Sequence, residues 1–312
     1  MDVLVKSKNI KDTLGLLKIN YSWDSFSEEI FKVASLFSKV HNGFYFYSGN
    51  EEIEFENSLI LVGNNTPKIY GENQIIKLLD AEPQQIYYMI LNHIFGRKSN
   101  GKIAKTAVIG SKVNLGTNVQ IDDFCILEDN VQIGNDVIIG SYTKIHSNSS
   151  IGNETIIESG CIIGTQGVAW TWNKEQTQKI IQPQLGGVEV KEKCFIGAGT
   201  IIVRGSLNEN TEIGFSTLMA PGGRIGHGTK VGNFVHFANN VITGGNTVIG
   251  DFSFIGSSAV FRPKVVIHPK TIIGSGSVVV KNTTMAGKTL MGVPAVETLT
   301  KIFPSGMPKP KL

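Results

Sequence analysis

A mainly β chain, a parallel β-helix preceded by a small α/β domain, is what the sequence predicts, and three observations carry it. Apolar residues recur every six positions from Ile103 to Ile163 without a break, and six of them are followed by glycine. The same phase returns at Val190, Ile196 and Ile202, and from Ile213 to Val279 only Thr243 among twelve positions is not apolar. Residues 1 to 100 show no such repeat.

A six-residue period is the mark of a solenoid in which each unit is one short strand plus a turn. Three units close a coil of 18 residues, so residues 18 apart lie above one another at about the strand spacing, ~4.8 Å. The 35 glycines fit this, because frequent tight turns in an Ile- and Val-rich chain need them. Two breaks interrupt the phase. One is an insertion over 165–187, "TQGVAWTWNKEQTQKIIQPQLGG", with two tryptophans; the other is a slip of one residue near Leu207. Insertions in a solenoid map to loops on one face, often the binding face, although the tryptophans could equally cover the prism wall.

In the front domain, "LILVG" at 59–63 reads as a buried strand and "GFYFYSG" at 43–49 as a strand with aromatics on both faces. "EEIFKVASLFSKV" reads as an amphipathic helix, and "AEPQQIYYMILNHIFG" at 81–96, with its early proline, as a connecting helix. The expected organisation is an α/β domain over 1–100, a β-helix over 101–285 with its inserted loop, and a tail over 286–312 whose prolines leave little room for a helix.

A net charge of +3 with 18% charged residues argues against nucleic acid or a membrane surface as partner. No window approaches a membrane span, and "MDVLVKSKNIK" lacks the apolar run of a signal peptide, so the expected location is cytoplasmic. Three cysteines, Cys125, Cys161 and Cys194, have no CxxC spacing and each falls two residues before a repeat position. They read as small core residues rather than as a disulfide framework or zinc site.

"RIGHGTKVGNFVHFANN" (224–240) carries the chemistry. His227 and His236 are nine residues apart, half a coil, so they lie on opposite sides of one prism and share no metal in cis. Acyl transfer fits better: a histidine takes a proton from an attacking amine or hydroxyl while a backbone N–H holds the oxyanion. One coil above His227 is Gly245, whose missing side chain admits a thioester; one coil below by the same arithmetic is Glu209, a carboxylate that would orient the imidazole. The competing reading is a solvated surface histidine.

Several of these blocks resemble the UDP-3-O-acylglucosamine N-acyltransferases of lipid A biosynthesis. "IGAGTIIVRGSLNENTEIG" (196–214) is similar to that family's arginine-glycine and acidic-turn run, "RIGHGTKVG" to its catalytic-histidine coil, and Gly245 to its oxyanion glycine. The insertion after "IIGTQG" and the helix ending "HIF" follow the family's order. The resemblance implies a left-handed coil, as in other hexapeptide-repeat proteins, and a homotrimer with active sites between subunits.

Departures are equally specific. The family's aspartate-asparagine pair before the histidine is Ala220 and Pro221 here. The "GVPA" ending is similar to sugar acetyltransferases that use acyl-CoA, including those acting on nucleotide-linked 4-amino sugars; their pattern has a second histidine nine residues after the base, which His236 matches, while their acidic residue after the base is Gly228 here. The resemblance therefore implies His227 and Gly245 as catalytic, with His236 and Gly244 at the acyl donor, while the orientation of His227 must come from elsewhere, which leaves Glu209 as the hypothesis given by the coil count. Phe44, Phe46 and Tyr47 would be nucleotide-binding rings, a stacking contact of about 1–3 kcal/mol, or else parts of an aromatic core strand.

The expected function is N-acyl transfer from a thioester, acyl-CoA in preference to acyl carrier protein, to the amine of a nucleotide-linked amino sugar. No permanently bound cofactor or metal is expected. The alternatives are the lipid A enzyme itself, using a 3-hydroxyacyl group on acyl carrier protein, and a non-enzymatic nucleotide-sugar-binding solenoid. A metal hydratase of the same fold is disfavoured, since its second histidine pair at short spacing is missing.

Overall fold

A computed structural model describes residues 2–23 and 26–298. The chain divides after Arg97 into two compact units.

The front unit runs β1 (Leu4–Lys6), α1 (Ser7–Leu16), β2 (Tyr21–Trp23), β3 (Ile30–Val33), β4 (Gly43–Tyr47), β5 (Ile53–Glu54), β6 (Leu59–Val62), β7 (Ile69–Tyr70), β8 (Gln74–Leu78) and α2 (Pro83–Phe95). Its main sheet has the order β1-β3-β4-β6-β8-β2, with β3, β4, β6 and β8 parallel and the two outer strands antiparallel. Strand alternation sends Phe44 to one face, where Ile10 and Leu14 of α1 and Ile86, Tyr87 and Ile90 of α2 cover it. Tyr45 and Tyr47 go to the other face and pack with Phe55, Ile60 and Val62. All four residues of β6 are buried, as the parallel centre of a covered sheet requires.

One expected helix is absent. "EEIFKVASLFSKV" forms β3 and then a turn closed by a Ser35–Ser38 bridge. The physical reason is pairing: β3 lies between β1 and β4, Phe31 is fully buried, and Leu36 packs on the opposite sheet face while Phe37 is exposed, so no single helical stripe survives. The helix near this end is instead α1, in the segment with scattered charges.

The second unit is a triangular parallel β-solenoid. Its first face runs from Asn114–Leu115 to Val266–Ile267, its second from Gln120–Ile121 onward, and its third from Val108–Ile109 to Val278–Val279. Paired residues such as Ile121 and Ile139 are 18 apart. One continuous core fills the prism from Val119 to Leu290, and the repeat isoleucines and valines within it are almost completely buried. All three cysteines belong to it; burial pushes the Cys161 and Cys194 thiols up to about 11, which leaves them unreactive.

The turns obey the same period. Lys112, Asn118, Phe124, Asn130, Asp136, Tyr142, Asn148 and Glu154 all have positive φ, each three residues after a core position. Stacking fixes this conformation against the residues' own preference for negative φ. Asx side chains bond the turn of the next coil, as in Thr117 N–H to Asn135 Oδ1 at 2.8 Å and Asn135 N–H to Asn153 Oδ1 at 2.7 Å.

The last coil is one residue short, with Ile273 paired to Leu290, and both insertions into the period fall at one edge of the prism, between the third and first faces. There 39 residues separate the paired Ile151 and Val190, and 23 separate Ile202 and Ile225. The apparent slip near Leu207 is therefore a five-residue insertion in an 18-residue coil. The longer insertion carries an antiparallel hairpin, Ala169–Trp172 with Lys179–Gln182, and both tryptophans are exposed with Lys179 Nζ 4.3 Å above the Trp170 ring. At the far end Thr289–Met291 and Val296–Thr298 extend the second face. Of the proline-rich tail, residues 299–312 lie outside the described residues.

Candidate active site

His227 occupies the interrupted edge, in the turn after the strand Arg224–Ile225. Its backbone is anchored on both sides by buried hydroxyls. The Gly226 N–H donates to Thr243 Oγ1 at 3.0 Å, and the Gly228 N–H donates to Thr211 Oγ1 at 2.9 Å. The His227 carbonyl accepts from the Asn246 N–H at 2.7 Å. Thr243, the one polar residue in the upper repeat, thus takes with its hydroxyl the Gly226 N–H that at other repeat positions goes to a backbone carbonyl, as the Gly232 N–H goes to that of Ile249.

Gly245 lies over the imidazole. A Cβ added to it would fall on His227 Nε2, and a Cβ on Gly226 would come within 2.7 Å of the Gly245 nitrogen and Gly244 carbonyl carbon, so the two coils are stacked as closely as glycine permits. The Gly245 N–H donates to no acceptor among the described residues. Nε2 of a half-exposed histidine and a free backbone N–H therefore share one small space. The 18-residue rule holds here because the coil above His227 is regular.

Below His227 the rule fails, for the five-residue insertion shifts the register. Arg204, not Glu209, lies under His227, two residues after the paired Ile202 and Ile225. Glu209 belongs to the insertion, and its carboxylate turns inward on the loop itself: Oε1 accepts from the Ser206 N–H at 2.8 Å and Oε2 from the Leu207 N–H at 3.0 Å. Its own backbone N–H first, then the Leu207 and Ser206 N–H groups and the nearby His227, hold the Glu209 carboxyl below its ordinary range against the effect of burial.

The side chain that reaches the imidazole is Ser206, whose Oγ is 3.0 Å from His227 Nδ1. Glu209 as direct orienter is thereby corrected to Glu209 as the residue that shapes the turn presenting Ser206. Sequence reasoning missed Ser206, although "RGS" directly at the phase break was the available signal.

The two insertions support each other. The Leu185 N–H donates to the Ser206 carbonyl at 3.0 Å, the Gly205 N–H to the Gly187 carbonyl at 3.0 Å, and the Gly187 N–H to Asn210 Oδ1 at 2.9 Å. The return of the long loop thus backs the short loop that holds His227.

His236 is on the second face, in His236–Phe237, stacked on Phe254 with ring centroids 5.0 Å apart. Within one chain the structure does not bring it to His227. Burial lowers its pKa, favouring the neutral ring. Gly244 abuts Pro263 of the next coil, and a Cβ there would lie 2.5 Å from the proline nitrogen. Among the described residues no three His, Cys, Asp or Glu side chains are grouped to hold a metal ion, and no helix is long and apolar enough to cross a membrane.

The front-unit rings fare differently. Phe44 is fully buried under Tyr87, whose hydroxyl donates to the Phe44 carbonyl at 3.1 Å, and Tyr47 is buried on the opposite face. A base cannot stack on a ring without an exposed face, so of the three expected rings only the part-exposed Phe46, itself 5.3 Å from Tyr87, keeps any access.

Comparison with known proteins places this geometry. The bacterial transferase hexapeptide family, a six-repeat model, matches residues 130–165 and 246–281. No curated protein matches the chain. Among solved structures, a UDP-N-acetylglucosamine O-acyltransferase from Moraxella catarrhalis superposes with a TM-score of 0.56 at 25% identity, covering 62% of this chain and 73% of that one. A UDP-N-acetylglucosamine acyltransferase from Bacteroides fragilis gives 0.56 at 21% identity over 63% of this chain and 74% of that one, and shows the fold alone. The chain carries two blocks of bacterial transferase hexapeptide repeats on a solenoid shared with solved UDP-sugar acyltransferases.

Proposed function

We propose that this chain transfers an acyl group from a thioester, acyl-CoA, to the amine of a nucleotide-linked amino sugar, acting as a homotrimer. The observation that carries the reading is the juxtaposition of His227 Nε2 with the unpartnered Gly245 N–H, while Ser206 holds Nδ1.

With its proton on Nδ1, donated to Ser206 Oγ, His227 presents a lone pair on Nε2. Nε2 takes a proton from the substrate amine as the nitrogen attacks the thioester carbonyl. The tetrahedral oxyanion is received by the Gly245 N–H. On collapse the C–S bond breaks, and the imidazolium returns its proton to the departing thiolate. Hydroxyl and amine differ only in which atom gives up that proton.

The trimer would set the second face of one subunit against the interrupted edge of its neighbour, so that the partner subunit's His236 contacts the acyl donor. Exposed Leu218 and Phe234 near His236 support this use of the face. Phe46 is the remaining candidate for a base-stacking ring. A second reading, transfer to a hydroxyl, is favoured by the likeness to the Moraxella catarrhalis O-acyltransferase.

The test is thiol release from acetyl-CoA, longer acyl-CoAs and 3-hydroxyacyl acyl carrier protein, each with UDP- and dTDP-linked sugars bearing either an amine or only hydroxyls. Turnover with an amino sugar alone is expected. Turnover with hydroxyl sugars alone replaces the first reading by the second, and no turnover with any pair removes both in favour of a non-enzymatic solenoid.

A further inference from the structure

Just below His227, at the root of the long insertion, three buried polar atoms have no partner: Arg204 Nε, Gln184 Nε2 and Ser149 Oγ. They are three of the four such atoms among the described residues. Arg204 is 8% exposed, and Gln184 and Ser149 1% each.

All three border the first residues of the insertion. The Arg204 N–H donates to the Thr165 carbonyl at 3.0 Å; a Cβ on Gly164 would lie 2.6 Å from Ser149 Oγ, and one on Gly167 would lie 3.2 and 3.3 Å from the Gln184 amide atoms. The guanidinium reaches down past this coil, and Nη2 donates to the Ser147 carbonyl. No carboxylate among the described residues pairs with it. Glu128, whose carboxylate accepts from the Ser147 N–H, is already taken by Lys144 at 2.8 Å and His146 at 3.2 Å.

A buried charge without a counter-charge is strongly unfavourable, and each unmade donor adds its own desolvation penalty. Water would satisfy the donors but leave the guanidinium uncompensated. An oxyanion does both. Burial first, and then the Lys144 and Arg204 charges, lower the His146 pKa against the pull of Glu128, which favours its neutral ring.

We infer that Arg204, Gln184 and Ser149 form an oxyanion site for a diphosphate. Arg204 starts one coil below His227 on the same edge, and its guanidinium reaches further down to the Ser147 carbonyl, so the site lies in the column under the imidazole. Both co-substrates of the proposed reaction carry a diphosphate. The identity of the bearer rests on that reading, whereas the anion site does not.

The experiment is titration of the parent chain with inorganic pyrophosphate, read by thermal shift and calorimetry. A saturable rise in Tm is expected by mass action. It should vanish in Arg204→Gln, weaken by about tenfold in Gln184→Ala and Ser149→Ala, and persist in His227→Ala, whose binding does not depend on turnover. Absence of a saturable effect in the parent, or an undiminished effect in both Arg204→Gln and Gln184→Ala, would overturn the site. Should Arg204→Gln not fold, Gln184→Ala and Ser149→Ala decide. The bearer is then read from Arg204→Lys: a higher KM for the amino-sugar nucleotide assigns the diphosphate to the acceptor, a higher KM for acyl-CoA assigns it to the donor, and no change in either contradicts its placement beside His227.

Discussion

Two edges of the prism carry no insertion, while the third is interrupted twice in consecutive coils. On the regular edges, turns are tied to the next coil by Asx side chains and repeat the same positive-φ residue. On the interrupted edge the ties run between loops, and they end on His227. Regularity there gives a stack with no room for anything else. Interruption adds length for a hydroxyl at the imidazole, a buried arginine and a hairpin, so the chemistry sits where the repeat is broken and the stability comes from where it is not.

Substituting glycines of the two kinds breaks this contrast most sharply. Gly245→Ala sets a methyl group on the imidazole, and kcat/KM should fall by about 10²–10³ as oxyanion access is lost. Gly160→Asn, at a regular-edge turn with positive φ and open space, should leave activity unchanged and stability within about 1 kcal/mol, as asparagine tolerates that conformation.

Next in size is the prism core, where the account expects no difference between edges: Ile249→Ala should cost about 2–5 kcal/mol in urea unfolding, and so should Ile202→Ala beside the insertion. Ser206→Ala should lower kcat by about 2–10-fold with KM and Tm little changed, the signature of a lost neutral hydrogen bond at the imidazole. An unchanged kcat would return the orientation of His227 to some other group.

The smallest effect is on pH dependence. Burial lowers the folded-state pKa of His236 below its unfolded value of about 6.5, so the unfolded chain binds more protons between the two. The stabilisation is complete above about pH 6.5 and is lost as pH falls through the folded value. Tm followed from pH 8 down to pH 5 should drop more in the parent than in His236→Phe.

Legibility followed the same contrast. The hexad pattern made the prism readable because one period governs core, turn and register together, and the regular coil above His227 made Gly245 reachable by counting. The eleven-residue step from Ile202 to Ile213 fits a one-residue slip or a five-residue insertion equally well, and counting across it picks Glu209 instead of Arg204. Ser206 was hidden for the same reason. In the front domain, β3 was misread because its pairing with β1 and β4 is long-range, while the helical spacing of "EEIFKVASLFSKV" is local. Burial of Phe44 and Tyr47 depends on what covers each sheet face, which α2 and the β5–β7 segment decide.

The most direct test is the rate of thiol release from acyl-CoA with an amino-sugar nucleotide, measured for the parent and for His227→Ala at matched Tm. The account predicts a fall of about 10²–10⁴ in kcat for the variant, as expected on losing a general base. Turnover persisting at the parent rate would contradict His227 as the base.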